Sequence, residues 1–394
     1  MIIRVAQNKL SELSTEFPIV AVTGPRQSGK TTLVKSFFPV YKYFNLEELD
    51  IREEVRLDPR GFLSKQNAGF IVDEVQNVPD FFSYLQSFAD NQKRMGQIIL
   101  TGSQNFLLLE KISQSLSGRV GILELMPLQL NEYNQFWENK LTINEILYSG
   151  LYPAIYDRNI QPYNWYSQYI RTYIERDVRQ IKNITNLGVF QRFIKLCAGR
   201  IGQLLNTNSL ANDLGVNLNT VRSWLDILES SYVIFRLNPH HKNFNKRVVK
   251  QKKLYFVDVG LAAHLLGIES PEQVDTHYLK GNLFENLIIS EFFKERYNKG
   301  KPSNLFFWRD HIGNEVDLLI EQGNTLTPIE IKSSQTLHSS LMDGLKKYTK
   351  FSLQNAQSSH LIYGGKRSTT LDRYNAHTWQ ELKKANWSRN FPCL

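Results

Sequence analysis

Apolar positions along the chain cluster into short runs punctuated by glycine and polar tips, a pattern of buried strands rather than of half-exposed ones. PIVAVTG (18–24), GFIVDEVQ (69–76) and QIILTGSQ (97–104) each read as an apolar strand that ends in a polar or glycine-rich tip. KTTLVKSFF follows the first at helical spacing, and VGILEL (120–125) follows Arg119 as a further strand. Farther on, YNWYSQYIRTYIERDVRQIK (163–182) carries aromatics at helical intervals and predicts one long helix whose aromatic face is core. NSLANDLGVNLNTVRSWLDILES (208–230) predicts two helices. Ser209 opens the first, Gly215 closes it with a tight turn, and Asn217 or Asn219 starts the second. SYVIFRL and KLYFVDV are the next strands. GNLFENLIISEFFKER (281–296) then reads as an amphipathic helix, NLFFW, NEVDLLIE and LTPIEIKSS as three strands, and SHLIYGG (359–365) as a last apolar strand.

At 394 residues the chain exceeds what one hydrophobic core serves, and the pattern divides it at 1–135, 136–268 and 269–394. An apolar content of 42% with 22% charged residues is that of a globular protein. The two cysteines, Cys197 and Cys393, are far apart, which excludes a cysteine zinc site or a disulfide framework and fits a reducing compartment. The N-terminus lacks the apolar stretch of a secretion signal, and no apolar run approaches the ~20 residues needed to cross a bilayer. The expectation is a cytoplasmic protein with no membrane partner.

The net charge of +9 changes the picture once it is located. Between residues 151 and 260 sixteen Lys or Arg face seven Asp or Glu, while the rest of the chain is balanced. That surplus fits a polyanion partner, or equally a solvated basic face near an acidic protein. Asn219, Thr220, Arg222 and Ser223 fall at the exposed start of the second helix, and Lys242, Lys246, Arg247 and Lys250 fall in the loop between the two strands that follow. Lys252 and Lys253 stand at the loop's end. This reads as a winged helix with a basic wing, and residues 209–253 are expected to contact duplex DNA. A lid that packs on protein is the other reading.

The first chemistry lies in Gly24, Pro25, Arg26, Gln27, Ser28, Gly29, Lys30 and Thr31, a complete G-x-x-x-x-G-K-T between a strand and a helix, with Thr32 just inside that helix. Glycines let the backbone amides turn toward phosphate oxygens, and the helix N-terminus adds its dipole. This segment is expected to bind ATP, with Lys30 reaching the β- and γ-phosphates and the Thr31 hydroxyl on Mg²⁺. Asp73, at the end of the second strand, is expected in the Mg²⁺ shell, and Glu74 beside it as the group that polarises the attacking water. The tip Thr101-Gly102-Ser103-Gln104 can contact the γ-phosphate or that water. Arg119 either forms a surface ion pair or reaches the γ-phosphate of a neighbouring subunit. Glu175-Arg176-Asp177 is dense in charge, either as a local helix face or as a contact near the nucleotide. The order of loop, acidic strand, polar tip and arginine resembles the AAA+ ATPases. That resemblance implies a sensor role for Ser103 or Gln104, an arginine-finger role for Arg119 and a homo-oligomer.

A second chemistry appears near the end of the chain. Glu330 and Lys332 share one face of a strand, Asp317 lies on the strand before it, and Glu285 sits on the preceding helix. Three carboxylates and a lysine make a site for Mg²⁺ or Mn²⁺, with Lys332 orienting a nucleophile or neutralising phosphate. The arrangement resembles the restriction-endonuclease-like nucleases, whose pattern is D, then D or E, x, K. The Q-x-x-x-Y seen in some of those relatives is incomplete here, since Gly344 precedes Tyr348 by four residues. Together GPRQSGKTT, FIVDEVQ, LTGSQ, SLSGR, YIERDV, LYFVDVGL and the EVD and EIK pair resemble one bacterial and archaeal family. It comprises AAA+ ATPases with a winged helix and a C-terminal restriction-endonuclease-like domain, and the resemblance spans about residues 1–350. The implied fold is α/β: a P-loop parallel sheet, a helical and winged-helix segment, then a restriction-endonuclease-like α/β domain. The implied activity is an ATP-driven switch on DNA with a metal-dependent nuclease domain. The alternative is a signalling ATPase whose last domain binds protein partners.

Overall fold

The computed structural model describes residues 2–102, 112, 114–137, 141–178, 186–240, 249–352, 359–371 and 374–391. They form two compact units. One comprises Met1–Leu128, Ser230–Tyr232 and Arg296–Pro302, and the other Gln129–Glu229, Val233–Glu295 and Ser303–Leu394. No described helix is long and apolar enough to cross a membrane.

The first unit is built on five strands: β1 (Ile19–Thr23), β2 (Lys42–Asn45), β3 (Phe70–Asp73), β4 (Ile98–Thr101) and β5 (Val120–Glu124). Their order is β2-β3-β4-β1-β5, and every pairing is parallel. β4 lies between β1 and the acidic strand β3, so its polar tip stands beside the acidic one. The central strands β1, β3 and β4 are buried on both faces, which is why they are continuous apolar runs, while the edge strands β2 and β5 are partly exposed. Ile19, Ala21, Phe70, Val72, Ile98 and Leu100 enter one core cluster, and Val20, Val22, Ile71, Ile99 and Leu123 enter the other. Helix α1 (Gln7–Glu16) covers the second face with Leu10 and Leu13. Helix α2 (Lys30–Phe37) leaves the end of β1 through the glycine loop.

In the second unit, α3 (Thr207–Leu214) and α4 (Leu218–Ser230, whose last residue belongs to the first unit) form a helix–turn–helix around Gly215, which is left-handed at φ 66°. The first helix starts two residues before Ser209, because the Asn206 side chain accepts the Ser209 amide and caps it. Asn217 similarly accepts from the Asn219 amide at the start of α4. Strands β6 (Ile234–Pro239) and β7 (Lys253–Phe256) pair antiparallel, and Leu204 bridges Lys253. The long helix expected over 163–182 is, in its described residues, an α-helix, Pro162–Tyr169, that continues as a π-helix, Ile170–Val178, and residues 179–182 lie outside the described ones. Trp165, Tyr166, Tyr169 and Tyr173 are buried, the core stripe that aromatic spacing predicts.

Helix α5 (Lys280–Asn298) departs from expectation more sharply. The sequence reads as amphipathic, yet Leu283, Phe284, Asn286, Leu287, Ser290, Glu291 and Lys294 are all buried. Its polar residues are accommodated because they bind backbone or each other. Asn286 exchanges two hydrogen bonds with the backbone of Phe256, and Glu291 accepts from the Leu130 amide and from Lys294. Beyond it come β8 (Leu305–Arg309), β9 (Glu315–Gln322), β10 (Thr325–Lys332), helix α6 (Asp343–Ser352), β11 (His360–Tyr363), β12 (Thr369–Leu371) and β13 (Tyr374–Thr378). They join β6 and β7 in an eight-stranded mixed sheet, β12-β13-β11-β10-β9-β8-β6-β7. β9 and β10 form an antiparallel hairpin, while β10, β11 and β13 run parallel.

Candidate functional site

The glycine loop is shaped by its surroundings. Gly24 has φ +136°, and a Cβ there would come within 2.2 Å of the Leu125 carbonyl oxygen. Gly29, at φ +93°, takes the left-handed conformation that starts α2. Arg4, buried and distant in sequence, donates to the Ser28 carbonyl at 2.8 Å and the Met126 carbonyl at 2.7 Å, fixing the loop from below. Lys30 Nζ donates to the carbonyls of Gly24 (3.0 Å) and Pro25 (2.8 Å). Burial lowers the Lys30 ammonium to a pKa of about 8 despite the nearby Glu74 and Asp73 carboxylates, and Arg26 adds to the lowering.

Asp73 is the hub of the same site. Its Oδ2 accepts from the Thr31 hydroxyl at 2.8 Å and the Tyr43 hydroxyl at 2.7 Å, and its Oδ1 from the Thr101 hydroxyl and the Glu74 amide. Glu74 sits at φ 52°, a left-handed position uncommon for a residue with a side chain, and its carboxylate accepts from Gln76. Burial, then the hydrogen bond and charge of Asp73, push the Tyr43 phenol above its ordinary range. At the end of β1 the Thr23 hydroxyl lies 3.4 Å from the Tyr232 hydroxyl, which also donates to Glu124. Sequence reading places the Thr101 tip near this site but assigns no role to Thr101, Tyr43, Arg4 or Tyr232. Ser103 and Gln104 lie outside the described residues, as do the side chains of Glu175, Arg176 and Asp177.

Arg119 stands apart from this group. β5 runs parallel to β1 with Ile19 opposite Val120, and the Ile19 amide donates to the Arg119 carbonyl. Arg119 therefore marks the end of the sheet away from the glycine loop, roughly 20 Å along the strands at about 3.3 Å per residue. Its guanidinium forms a two-pronged pair with Asp90, at 2.6 and 3.0 Å, the surface ion pair of the two alternatives.

The C-terminal cluster brings Glu285, Asp317, Glu330 and Lys332 into mutual electrostatic range and adds three residues the sequence reading left out of it: Lys253, Tyr255 and Glu315. Register sets this up. Ile329 faces Leu318, so Glu330 and Asp317 meet one position on, where Asp317 Oδ2 accepts the Ile331 amide at 2.8 Å. Lys332 Nζ bridges the pair, 3.2 Å from Asp317 and 2.5 Å from Glu330. Lys253, 1% exposed, pairs with Glu285 at 3.0 Å and with Glu315. Burial would lower both lysines, but the carboxylates outweigh it and push both up. Burial raises Glu285 to about 7 against the pull of Lys253, and burial with the Asp317 charge raises Glu330 well above the carboxylate range.

Two expectations change here. Lys253 is not a wing residue offered to DNA, since it is buried among carboxylates. Glu285 is not a free third carboxylate, since Lys253 and the Tyr255 hydroxyl (2.5 Å) already hold it. Among the described residues no group of three His, Cys, Asp or Glu is arranged to hold a metal ion. Glu330 Oε2 is nonetheless buried without a hydrogen-bond partner, beside Gly344, whose added Cβ would lie 2.9 Å from it and 2.3 Å from the Glu315 carbonyl oxygen. Glycine at 344, where the Q-x-x-x-Y pattern has glutamine, follows from that close approach of α6 to β9.

On the helix–turn–helix, Asn219 and Arg222 are exposed, while Val221, Trp224, Leu225 and Leu228 are core. Part of the basic surplus is consumed internally: Arg200 pairs with Asp213, and Arg236 with Asp226 and Glu229. Lys242, Lys246 and Arg247 lie outside the described residues.

Residues 16–134 match the family described as AAA domain, 140–272 match Domain of unknown function (DUF8612), and 280–382 match Domain of unknown function (DUF4143). An uncharacterized protein of Mycobacterium tuberculosis is 30% identical over 321 residues, covering 81% of this chain and 71% of that protein. An uncharacterized protein of Methanocaldococcus jannaschii is 25% identical over 334 residues, covering 77% and 72%. The solved Walker-type ATPase of Pyrococcus abyssi aligns with a TM-score of 0.45 at 16% identity, over 66% of this chain and 94% of that one. The phosphate loop, the Asp73 hub and the five-stranded parallel sheet lie within the segment matched as AAA domain, and at 30% identity over 71% of the mycobacterial relative the chain belongs with it to one family of AAA-type ATPases.

Proposed function

We propose that the protein is a Mg²⁺-dependent ATPase that acts as a switch on DNA. The observation that carries the ATPase part is the contact of the Thr31 hydroxyl with Asp73, in the same loop-and-strand site where, among the described residues, two backbone carbonyls accept from Lys30. A hydroxyl and a buried carboxylate 2.8 Å apart are a fitting pair for the Mg²⁺ shell. Ser28 Oγ, buried in the same loop and without a hydrogen-bond partner among the described residues, adds an unused polar atom to the cradle. Mg²⁺ held by Thr31 and Asp73 would supply positive charge to offset the charge that develops on the phosphates. Residues 24–32 hold the phosphates, Lys30 neutralises them, and Glu74 orients and polarises the attacking water. Thr101 and Tyr43 keep the Asp73 carboxylate oriented. Ser103 or Gln104 serves as the sensor at the γ-phosphate. Arg119, paired with Asp90 at the far end of the sheet, acts on ATP only in a neighbouring copy, within a homo-oligomer.

The DNA part rests on α3, α4 and the β6–β7 hairpin, with Leu204 bridging Lys253 of β7, an arrangement that supports the winged-helix reading. Asn219 and Arg222 are the residues offered to the groove. At the carboxylate cluster, Asp317 and Glu330 would hold Mg²⁺ or Mn²⁺, with Lys332 moving aside to meet phosphate, and the unpartnered Glu330 Oε2 supports that fit. The second reading, a non-nucleolytic ATPase with a C-terminal scaffold, is favoured by one specific observation. Lys253 and Lys332 already pair with the four carboxylates, so part of the cluster's negative charge is offset in the absence of metal. Incubation of supercoiled plasmid with Mg²⁺ or Mn²⁺, with and without ATP, separates the two. Nicking by wild type and not by Lys332→Ala supports the nuclease. Phosphate release from ATP without nicking leaves the scaffold reading, and no phosphate release sinks the ATPase reading itself.

A further inference from the structure

A large cleft in the second unit lies on elements that neither the ATPase reading nor the helix–turn–helix uses. It has a volume of about 1370 Å³ and opens where the parallel strands β10 and β11 end. Lys332 pairs in register with Tyr363, and the lining begins three residues past Lys332 at Gln335 and directly at Tyr363. Crevices at the carboxyl ends of parallel strands are where α/β sheets bind ligands.

Its walls are cationic. Lys366, Arg367, Lys383 and Lys384 all line it, with the hydroxyls of Thr142 and Ser368. Lys384 pairs with Glu381, and Lys383 lies over the Trp379 ring while donating to the Leu141 carbonyl. Lys366 and Arg367 are exposed and have no acidic partner among the described residues. The loop that presents them is built rather than slack. Tyr363 OH donates to the Arg367 carbonyl at 2.6 Å, and the Gly364 amide donates to the Lys332 and Ser334 carbonyls at 3.0 Å each. A Cβ at Gly364 would come within 2.4 Å of the Ser333 carbonyl oxygen, so the loop lies against the chain leaving β10.

We propose that this cleft binds the phosphodiester backbone of a nucleic-acid strand. Four cations and neutral hydroxyl donors match a chain of phosphates, and the volume exceeds the roughly 300–1,000 Å³ of small-molecule pockets, which favours a polymer over a free nucleotide. A strand lying there runs to the end of β10, beside Lys332 and the carboxylate cluster. The inference rests on the reading that the second unit acts on nucleic acid, but it assigns the contact to a different surface from α4.

The test is anisotropy of a labelled single-stranded oligonucleotide, and of its duplex, with the full-length chain. The double variant Lys366→Glu/Arg367→Glu is expected to bind at least about tenfold more weakly. For the single strand, the slope of log affinity against log salt should become shallower by about 1.4, two phosphate contacts at about 0.7 each. The alanine pair should lose less and keep the wild-type unfolding transition. Unchanged affinity in the glutamate pair overturns the proposal. So does displacement of the oligonucleotide by tripolyphosphate or polyglutamate as readily as by unlabelled strand, which would reassign the cleft to another anion. Arg222→Ala separates the two surfaces: a loss confined to it refutes the cleft and keeps the helix–turn–helix, and a loss confined to the cleft variants does the reverse. No binding by wild type under any salt refutes both, while phosphate release from ATP remains an independent readout.

Discussion

The phosphate loop and the C-terminal carboxylate cluster both bury lysines, and they treat them in opposite ways. Lys30 is lowered because desolvation by burial outweighs the nearby Glu74 and Asp73 carboxylates, while two backbone carbonyl oxygens accept its hydrogen bonds. Lys253 and Lys332 are raised because carboxylates surround them. The first site has an uncompensated cation and is poised for an anion. In the second, two lysines already pair with the carboxylates, so a metal or a phosphate must displace an existing ion pair. The lesson is that a buried charge cluster announces a ligand by what is left unpaired, not by how many charges it gathers.

The largest effect that could break this contrast is Lys30→Ala. It should weaken ATP binding by roughly 10²–10⁴-fold, from charge-assisted contacts worth about 1.5–3 kcal/mol each, measured by titration calorimetry. Retained affinity would mean that Lys30 is a structural plug in its loop. Next, Glu74→Gln should bind ATP normally while phosphate release falls roughly 10²–10⁴-fold, the range for loss of a general base. Unchanged turnover would remove Glu74 from the chemistry.

Lys253→Met tests the other side. It leaves Glu285 and Glu315 buried without their cation, so denaturant unfolding should show a loss of about 3–5 kcal/mol, with part recovered by adding Glu285→Gln. A neutral result would show that Lys253 does not compensate the cluster. A subtler effect comes from pH. A lysine lowered to about 8 in the folded chain binds less proton than the unfolded chain between that pH and its ordinary 10.5. Its burial therefore costs stability below pH 8, and the cost fades as pH rises toward 10.5. ATP phosphates restore the charge, so binding at about pH 9 should take up close to one proton and binding at neutral pH almost none. Calorimetry in buffers of different ionisation enthalpy reads this directly, and no uptake at high pH would show that Lys30 is not recharged. Smallest of all, Arg119→Ala should leave thermal unfolding unchanged, because its pair with Asp90 is exposed. It should lower phosphate release only at protein concentrations where copies associate.

Sequence alone determined the glycine loop, the buried parallel strands and the Asp73-Glu74 tip, because each is contiguous and its geometry follows from local backbone rules. It also placed the helix–turn–helix to within two residues and brought Asp317, Glu330 and Lys332 to one hairpin, since a period of two puts alternate residues on one face. Tertiary structure decided what those residues meet. Arg4 reaches a loop 24 positions away, Tyr43 and Thr101 converge on Asp73 across parallel pairings, and Lys253 leaves the basic segment to enter the carboxylates. α5 looks amphipathic in sequence and is buried over most of its length, because its polar groups find partners on strands and loops far along the chain. Such pairings depend on packing over long sequence separations, where no local pattern records which charge will be left with a partner and which without one.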